Sequence, residues 1–140
     1  MTDLKTLDDA ISVSGQISPG DLPALKAQGF STVISNRPDG EEPGQPAAAE
    51  IEAAAAEAGL DFIHIPVAGG QFTQDGVERF RAALEGADGK VLAFCRSGMR
   101  STAMWALASA GRRPAPELVG IAAQAGYDIS GLTPYLTARA

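Results

Sequence analysis

Four short apolar segments alternate along the chain with segments that favour helix. They cover residues 11–16, 30–36, 60–67 and 90–94, and they are rich in the β-branched and aromatic residues that strands prefer. Strands separated by helices pair in parallel, and a parallel sheet needs cover on both faces. The alternation therefore predicts an α/β fold with a mainly parallel sheet of four to five strands and helices on both faces. In such sheets ligands bind beyond the carboxyl ends of the strands.

The segments between the strands carry the usual start and stop residues of helices. These are Ser18 and Thr73 as N-caps, Pro19 at a first helical position, and Gly29, Gly59 and Gly111 as stops. Two more short helices are expected at residues 117–125 and 132–139. Residues 37–46 hold three prolines and two glycines without periodicity, which is typical of a loop.

The composition limits both the size and the partners of the protein. A chain of 140 residues, 45% of them apolar, suffices for one domain over residues 1–140. Seventeen acidic and eleven basic residues give a net charge of −6, which argues against broad contact with nucleic acid or an anionic membrane. The single cysteine and the lack of a recognisable targeting segment predict a reduced, cytoplasmic protein.

The one cysteine, Cys95, directly follows the fourth predicted strand and precedes a helix. Helix N-termini present N–H groups that bind anions, and together with arginines they favour a reactive thiolate. Arg96 and Arg100 supply fixed positive charge, and Gly98 lets the backbone fold with its N–H groups inward. The pattern predicts Cys95 and Arg100 as catalytic residues. The residues expected to bind the substrate are Arg96, Ser97, Gly98, Met99 and Ser101.

The segment from Cys95 to Arg100 resembles the Cys-Arg-x-Gly-x-Arg active-site loop of rhodanese-type sulfurtransferases. The remainder is similar to the phosphatase-like domain family of the beta-lactamase hydrolase-like proteins, which belongs to the tyrosine-phosphatase superfamily. The pieces that carry this resemblance are "ISVSGQISPGDL", "VISNRPDGEEPGQP", "GLDFIHIPV" and the cysteine loop itself. The resemblance implies a three-layer fold of the tyrosine-phosphatase type, with a cysteine that transfers either phosphate or sulfur.

The cysteine loop departs from the tyrosine-phosphatase signature in its length. That signature is His-Cys, then five residues, then Arg. Here Phe94 precedes the cysteine, and only four residues separate Cys95 from Arg100. Ser101 stands where the signature has its arginine. A shorter loop encloses less space, so it suits a single sulfur atom better than a phosphoryl group.

The loop after the third strand, "AGGQ", lacks the aspartate that protonates the leaving group in compact tyrosine phosphatases. Asp75 and Asp39 are the candidate acids for a phosphatase reaction, although a charge in a first helical turn and a solvated loop charge are the simpler interpretations. Glu41 and Glu42 are also expected to be solvated loop charges. Sulfur transfer expels sulfite or a thiolate and needs no acid.

Two further residues, His64 and Arg37, are not assigned a catalytic role. His64, the only histidine, lies on a predicted strand, and no second ligand stands at metal spacing, so we expect neither a metal nor a cofactor. Arg37 directly follows the second predicted strand. It is expected either to reach the anion site or to form an ion pair within its loop.

The leading hypothesis from the sequence is sulfur transfer. The Cys95 thiolate attacks a small anionic sulfur donor recruited by Arg96, carries the sulfur as a persulfide held by Arg100, and passes it to an external thiol or cyanide. A cysteine-dependent phosphatase is the alternative, and a non-catalytic sensor of a sulfur species or an oxyanion is a third. Some members of the resembled family are fused to a persulfide dioxygenase, which for this chain would act in trans.

Overall fold

The computed structural model describes residues 3–138 and contains a five-stranded sheet. Its strands are β1 Lys5–Thr6, β2 Ile11–Ser14, β3 Phe30–Ser35, β4 Asp61–His64 and β5 Lys90–Phe94. The spatial order is β1-β2-β5-β3-β4. The four longer strands pair in parallel, and β1 pairs antiparallel with β2 at one edge. The predicted fold class, a mainly parallel sheet within an α/β fold, is confirmed.

Six α-helices connect and cover the strands. They are α1 Leu22–Ala27, α2 Ala48–Ala58, α3 Gln74–Gly86, α4 Met99–Ser109, α5 Ala115–Gln124 and α6 Thr133–Ala138. Short 3-10 helices, Pro19–Asp21 and Ser130–Leu132, precede α1 and α6. Thr73 caps α3 as predicted, because its hydroxyl oxygen accepts the Gly76 N–H at 3.0 Å. The last predicted helix extends to residue 139, which lies outside the described residues.

The helices form one layer on each face of the sheet, and each layer has its own apolar core. Helices α1 and α2 pack on one face, and α3 to α6 pack on the other. Alternate residues of β5 enter the two cores, since Val91 and Ala93 belong to one and Leu92 and Phe94 to the other. Helix α4 is buried from residue 101 to residue 108, so it forms the centre of the larger core. This three-layer arrangement fixes the position of the cysteine loop, which joins β5 to α4.

The strands differ from the predicted ones at their ends. β1 was not predicted, because two exposed residues, Lys5 and Thr6, carry no alternation of apolar and polar side chains. β2 ends at Ser14 rather than residue 16, since the chain then turns against the cysteine loop. A side chain at Gly15 would place its Cβ only 2.8 Å from the Arg96 carbonyl oxygen. Within residues 3–138, no helix has both the length and the apolar character needed to cross a membrane.

Candidate active site

Cys95 lies at the carboxyl end of β5, which is the central strand of the sheet. Its N–H donates to the Ser14 carbonyl at 3.3 Å, so β2 holds the start of the loop. On the other side the Asn36 N–H donates to the Phe94 carbonyl at 2.8 Å. The Cys95 side chain is fully buried. The thiol is therefore held between the ends of two neighbouring strands, at the edge where parallel sheets bind ligands.

Gly98 turns the chain from the loop into α4. Its φ is 98°, a left-handed conformation that favours glycine, and its N–H donates to the Cys95 Sγ at 3.1 Å. The Gly98 carbonyl accepts both the N–H and the hydroxyl of Thr102, at 2.9 and 2.8 Å. A Cβ on Gly98 would lie 2.2 Å from the Tyr127 hydroxyl oxygen. The left-handed backbone therefore favours glycine at this position, and any side chain there would displace the Tyr127 hydroxyl.

Tyr127 covers the cysteine loop from the segment after α5. Its hydroxyl donates to the Ser97 carbonyl at 2.9 Å, while the Ser97 hydroxyl oxygen accepts the Met99 N–H at 3.3 Å. Burial raises the pKa of Tyr127, and negative charge on Cys95 raises it further, so the phenol stays neutral at physiological pH. Sequence reasoning missed this residue. Nothing in its local sequence indicates a contact with a loop 30 positions earlier.

Arg100, in the first turn of α4, binds a glutamate of the 37–46 loop. Its Nη1 and Nη2 donate to Glu41 Oε2 and Oε1 at 2.8 and 2.9 Å, and its Nη1 also donates to the Val67 carbonyl at 2.7 Å. The hydrogen bond to Arg100 lowers the pKa of Glu41 to about 2, and the same contact raises the pKa of Arg100. The pair is thus an ionised, bidentate contact between the 37–46 loop and the first turn of α4.

Arg37 reaches the same glutamate from the end of β3. Its side chain is only 4% exposed. Its Nε donates to Glu41 Oε1 at 2.9 Å, and its Nη1 donates to the Gln16 Oε1 at 3.0 Å. The third nitrogen, Nη2, lies 3.2 Å from Glu42 Oε1 but is not aligned for a hydrogen bond. Of the two interpretations of Arg37, the structure shows the ion pair within its loop.

Glu41 and Glu42 keep exposed side-chain surface, 27% and 44%, as expected of loop charges, but both are also ion-paired. Glu41 bridges Arg37 and Arg100, and Glu42 lies 2.6 Å from the Nε of Arg96, which is itself 70% exposed. The physical reason is that β3 and β5 are adjacent, so the loops that follow them meet at one sheet edge and bring opposite charges together. Both glutamates therefore belong to the candidate site.

The two aspartates considered as acids differ in their contacts from the glutamates of this cluster. Asp39 accepts the Ala48 N–H at 2.8 Å and so holds the start of α2. Asp75 is exposed in the first turn of α3, as its simpler interpretation predicts. The pocket beside the loop has a volume of about 450 Å³ and is lined by Glu41, Glu42, Gly69, Arg96 and Arg100. Neither aspartate lines this pocket.

Two other residues from the sequence analysis have scaffold contacts. The Ser101 side chain is buried, and its hydroxyl donates at 2.8 Å to Asn36 Oδ1, so it ties α4 to the end of β3. His64 is half-buried, and its Nε2 lies 3.0 Å from the Arg37 carbonyl oxygen. Among residues 3–138, no cluster of three or more His, Cys, Asp or Glu side chains is arranged to hold a metal ion.

Comparison with known proteins shows which family the chain resembles. Residues 3–112 match the family described as beta-lactamase hydrolase-like protein, phosphatase-like domain. The chain belongs to this family. The beta-lactamase hydrolase-like protein of Agrobacterium fabrum is 35% identical over 132 residues, and that of Xylella fastidiosa is 31% identical over 136. These matches cover 93% and 96% of this chain but only 31% and 32% of the relatives, so the chain spans about a third of their length.

Solved structures agree on the fold. A candidate phosphatase from Neisseria meningitidis is 32% identical, with a TM-score of 0.84 over 96% of both chains. Tk-PTP in its active form has a TM-score of 0.69 at 19% identity, over 95% of this chain and 92% of that one. TpbA of P. aeruginosa, solved with phosphotyrosine, has a TM-score of 0.64 at 16% identity, over 96% and 90%. The family and the tyrosine-phosphatase-like fold expected from the resemblance are both confirmed.

Proposed function

We propose that the chain is a cysteine-dependent phosphatase that hydrolyses phosphate monoesters, with Cys95 as the nucleophile and Arg100 as the clamp for the phosphoryl oxygens. One observation carries the proposal: the buried Cys95 Sγ accepts the Gly98 N–H at 3.1 Å, immediately before the helix that bears Arg100. The match to phosphatase folds along nearly the whole chain supports this reaction better than the sulfur transfer that leads the sequence analysis.

The chemistry follows from a thiolate facing helix N–H groups. The Cys95 sulfur attacks phosphorus, the bond from phosphorus to the ester oxygen breaks, and the ester oxygen leaves with the bonding electrons and takes its proton from solvent. Water then attacks the phosphocysteine, releasing phosphate and restoring the thiolate. Backbone N–H groups at the start of α4 and the Arg100 guanidinium stabilise the charge on the phosphoryl oxygens in both steps.

The proton for the leaving group sets the expected substrate range. Glu41 lines the pocket, but the hydrogen bond to Arg100 lowers its pKa to about 2, so it is ionised and cannot donate a proton in this conformation. A substrate with an acidic leaving group needs little protonation in the transition state. We therefore expect aryl phosphates to be hydrolysed much faster than alkyl phosphates.

Sulfur transfer is the second candidate, and the shortness of the cysteine loop favours it. In this reaction the Cys95 thiolate attacks the outer sulfur of a donor such as thiosulfate, the S–S bond breaks, and sulfite leaves with the bonding electrons. An external thiolate then takes the outer sulfur from the Cys95 persulfide. No step needs a general acid, which fits a pocket whose Glu41 is ionised. A persulfide dioxygenase acting in trans would consume the resulting persulfide.

Parallel assays separate the two reactions. The wild type, the Cys95→Ser variant and the Arg112→Lys variant are each given an aryl phosphate, and separately thiosulfate with cyanide. We expect aryl-phosphate hydrolysis in the wild type, its loss in Cys95→Ser, and no change in Arg112→Lys, because Arg112 lies beyond the far end of α4. An inert aryl phosphate, together with a Cys95 adduct of about 32 Da after thiosulfate, would make sulfur transfer the function instead.

A further inference from the structure

The Glu41 carboxylate occupies a site made by two arginines, Arg37 in the loop after β3 and Arg100 in the first turn of α4. Its Oε1 lies 2.9 Å from Arg37 Nε and 2.9 Å from Arg100 Nη2, and its Oε2 lies 2.8 Å from Arg100 Nη1. One carboxylate thus accepts three hydrogen bonds from two guanidinium groups. This is the geometry by which arginines bind phosphate and related anions.

Arg37 is more deeply buried than its present contacts explain. Its side chain is 4% exposed, and its Nη2 is buried without a hydrogen-bond partner. This donor has an ion pair with Glu42 Oε1 at 3.2 Å, but it lacks an aligned acceptor. That is costly for a buried guanidinium, because the donor has lost its water without gaining a hydrogen bond. A carboxylate offers two oxygens and leaves this donor unused, whereas a tetrahedral oxyanion offers further oxygens. The Arg37 side chain is therefore better matched to such an anion than to Glu41.

Cys95 is inaccessible in the conformation in which Glu41 binds Arg100. Cys95 is fully buried, and the residues that line the neighbouring pocket include Glu41 and Arg100 but not Cys95. Glu41 belongs to the 37–46 loop, which is largely exposed and rich in proline and glycine. A movement of this loop would free both guanidinium groups without disturbing the sheet.

We propose that Arg37 and Arg100 together form the binding site for the anionic group of the substrate, and that Glu41 is a built-in competitor that fills it when no substrate is bound. The proposal rests on Cys95 as the reactive atom but holds for either reaction above. A phosphoryl group and the sulfonate end of thiosulfate share the chemistry that the site recognises, a tetrahedral oxyanion. Arg37 is thus a substrate-binding residue, and the Glu41 side chain sets how tightly anions bind.

The test follows alkylation of Cys95 by the neutral reagent iodoacetamide, with sulfate or phosphate as the protecting anion. It compares the wild type with Glu41→Gln and with a matched control, Glu85→Gln, which removes the same charge from an ion pair with Arg112. We expect Cys95 to be alkylated faster in Glu41→Gln than in the wild type. We also expect the anion to give half-protection at about tenfold lower concentration. A tenfold change corresponds to removing a state, with Glu41 bound to the arginines, that is about nine-tenths populated. Glu85→Gln should behave as the wild type. Equal rates and equal protection in all three proteins would overturn the proposal.

Arg37 is tested in the Glu41→Gln background. Arg37→Lys should weaken protection by sulfate about tenfold or more, because a lysine cannot reproduce the paired donors of a guanidinium. Its folding is checked by near-ultraviolet circular dichroism of the buried Trp105. Independently of that variant, sulfate should protect Glu41→Gln much better than acetate, since acetate leaves the Arg37 Nη2 unused. Equal protection by acetate and sulfate would rule out Arg37 as a binding residue.

These measurements need no turnover, so they separate the two proposals. Protection of Cys95 in a protein that hydrolyses no aryl phosphate would leave the two-arginine site standing and remove the phosphatase function. Stronger protection by phosphate than by sulfate would indicate a phosphoryl substrate. Stronger protection by sulfate would indicate a substrate with a sulfonate-like group. Aryl-phosphate hydrolysis with no protection by either anion would support the function and overturn the site.

Discussion

The two ends of α4 each have a glutamate paired with an arginine, and the two pairs differ in almost every other respect. At the start of the helix, Glu41 binds Arg100 with two hydrogen bonds and is shared with the buried Arg37. Beyond its end, Glu85 contacts Arg112, and both side chains are more than half exposed. Exposed pairs contribute little to stability because water screens them. An ion pair is thus not by itself a sign of function. The pair at Glu41 differs because a buried arginine, Arg37, shares the same carboxylate with Arg100.

The largest expected effect comes from replacing the arginine at each end. Arg100→Lys should lower turnover of the substrate about a hundredfold or more, because one flexible ammonium replaces the paired donors that stabilise the transition state. Arg112→Lys should leave turnover unchanged. Steady-state kinetics with an aryl phosphate and with thiosulfate measures both variants. Equal losses of turnover in the two variants would mean that the arginines at the two ends of α4 do not differ in function.

The glycines at the two ends provide a second test, of stability. Gly98 and Gly111 both have left-handed backbone, with φ of 98° and 90°. Gly98→Ala should cost about 3 kcal/mol of unfolding free energy, from backbone strain together with the clash against Tyr127. Gly111→Ala should cost about 1 kcal/mol, from its left-handed backbone. Urea unfolding gives both values, and an equal cost at the two positions would mean that Tyr127 does not pack on the loop as described.

The pH dependence of stability should differ between the two glutamates. Arg100 lowers the pKa of Glu41 from 4.5 to about 2, so the contribution of Glu41 is present above about pH 4.5 and is lost as the pH falls towards 2. Glu41→Gln should therefore flatten the acid limb of the stability curve. Arg112 also lowers the pKa of Glu85, but that pair is exposed, so Glu85→Gln should change the curve less. Urea midpoints between pH 2 and 5 measure the difference, and identical curves for both variants would contradict it.

The smallest expected effect concerns the two tyrosines of the chain. Tyr127→Phe removes the hydrogen bond to the Ser97 carbonyl and should cost about 1 kcal/mol of stability. It should also speed alkylation of Cys95 modestly, since the loop becomes less restrained. Tyr135 is exposed, and Tyr135→Phe should change neither quantity. A loss of stability from Tyr135→Phe as large as that from Tyr127→Phe would contradict the role given to the Tyr127 hydroxyl.

Sequence reasoning worked best where the information is local. The strand before Cys95, the turn at Gly98 and the helix that follows lie in one continuous segment, Lys90 to Ser109, and their order alone puts the thiol at the ligand-binding edge of the sheet. The family resemblance rested on similarly local motifs. Helix starts and stops such as Thr73 and Gly59 were also readable, because caps depend on single residues.

Contacts between distant segments could not be read in the same way. Glu41 and Arg100 are 59 positions apart, and only the adjacency of β3 and β5 brings them together. A charged residue in a loop has no periodicity to mark it, so Glu41 looked like any solvated carboxylate. The contacts of Arg37 could not be predicted for the same reason. The short strand β1 was missed because its pairing with β2, rather than its own composition, defines it.

The hydroxyl contact of Tyr127 with Ser97 links the last helices of the chain to the reactive centre. Tyr127 follows α5, and its hydroxyl donates to the carbonyl next to the glycine that turns the chain into α4. A change in the packing of α5 or α6 can therefore reach the turn beside Cys95 through a single hydrogen bond, although neither helix contributes a residue to the chemistry.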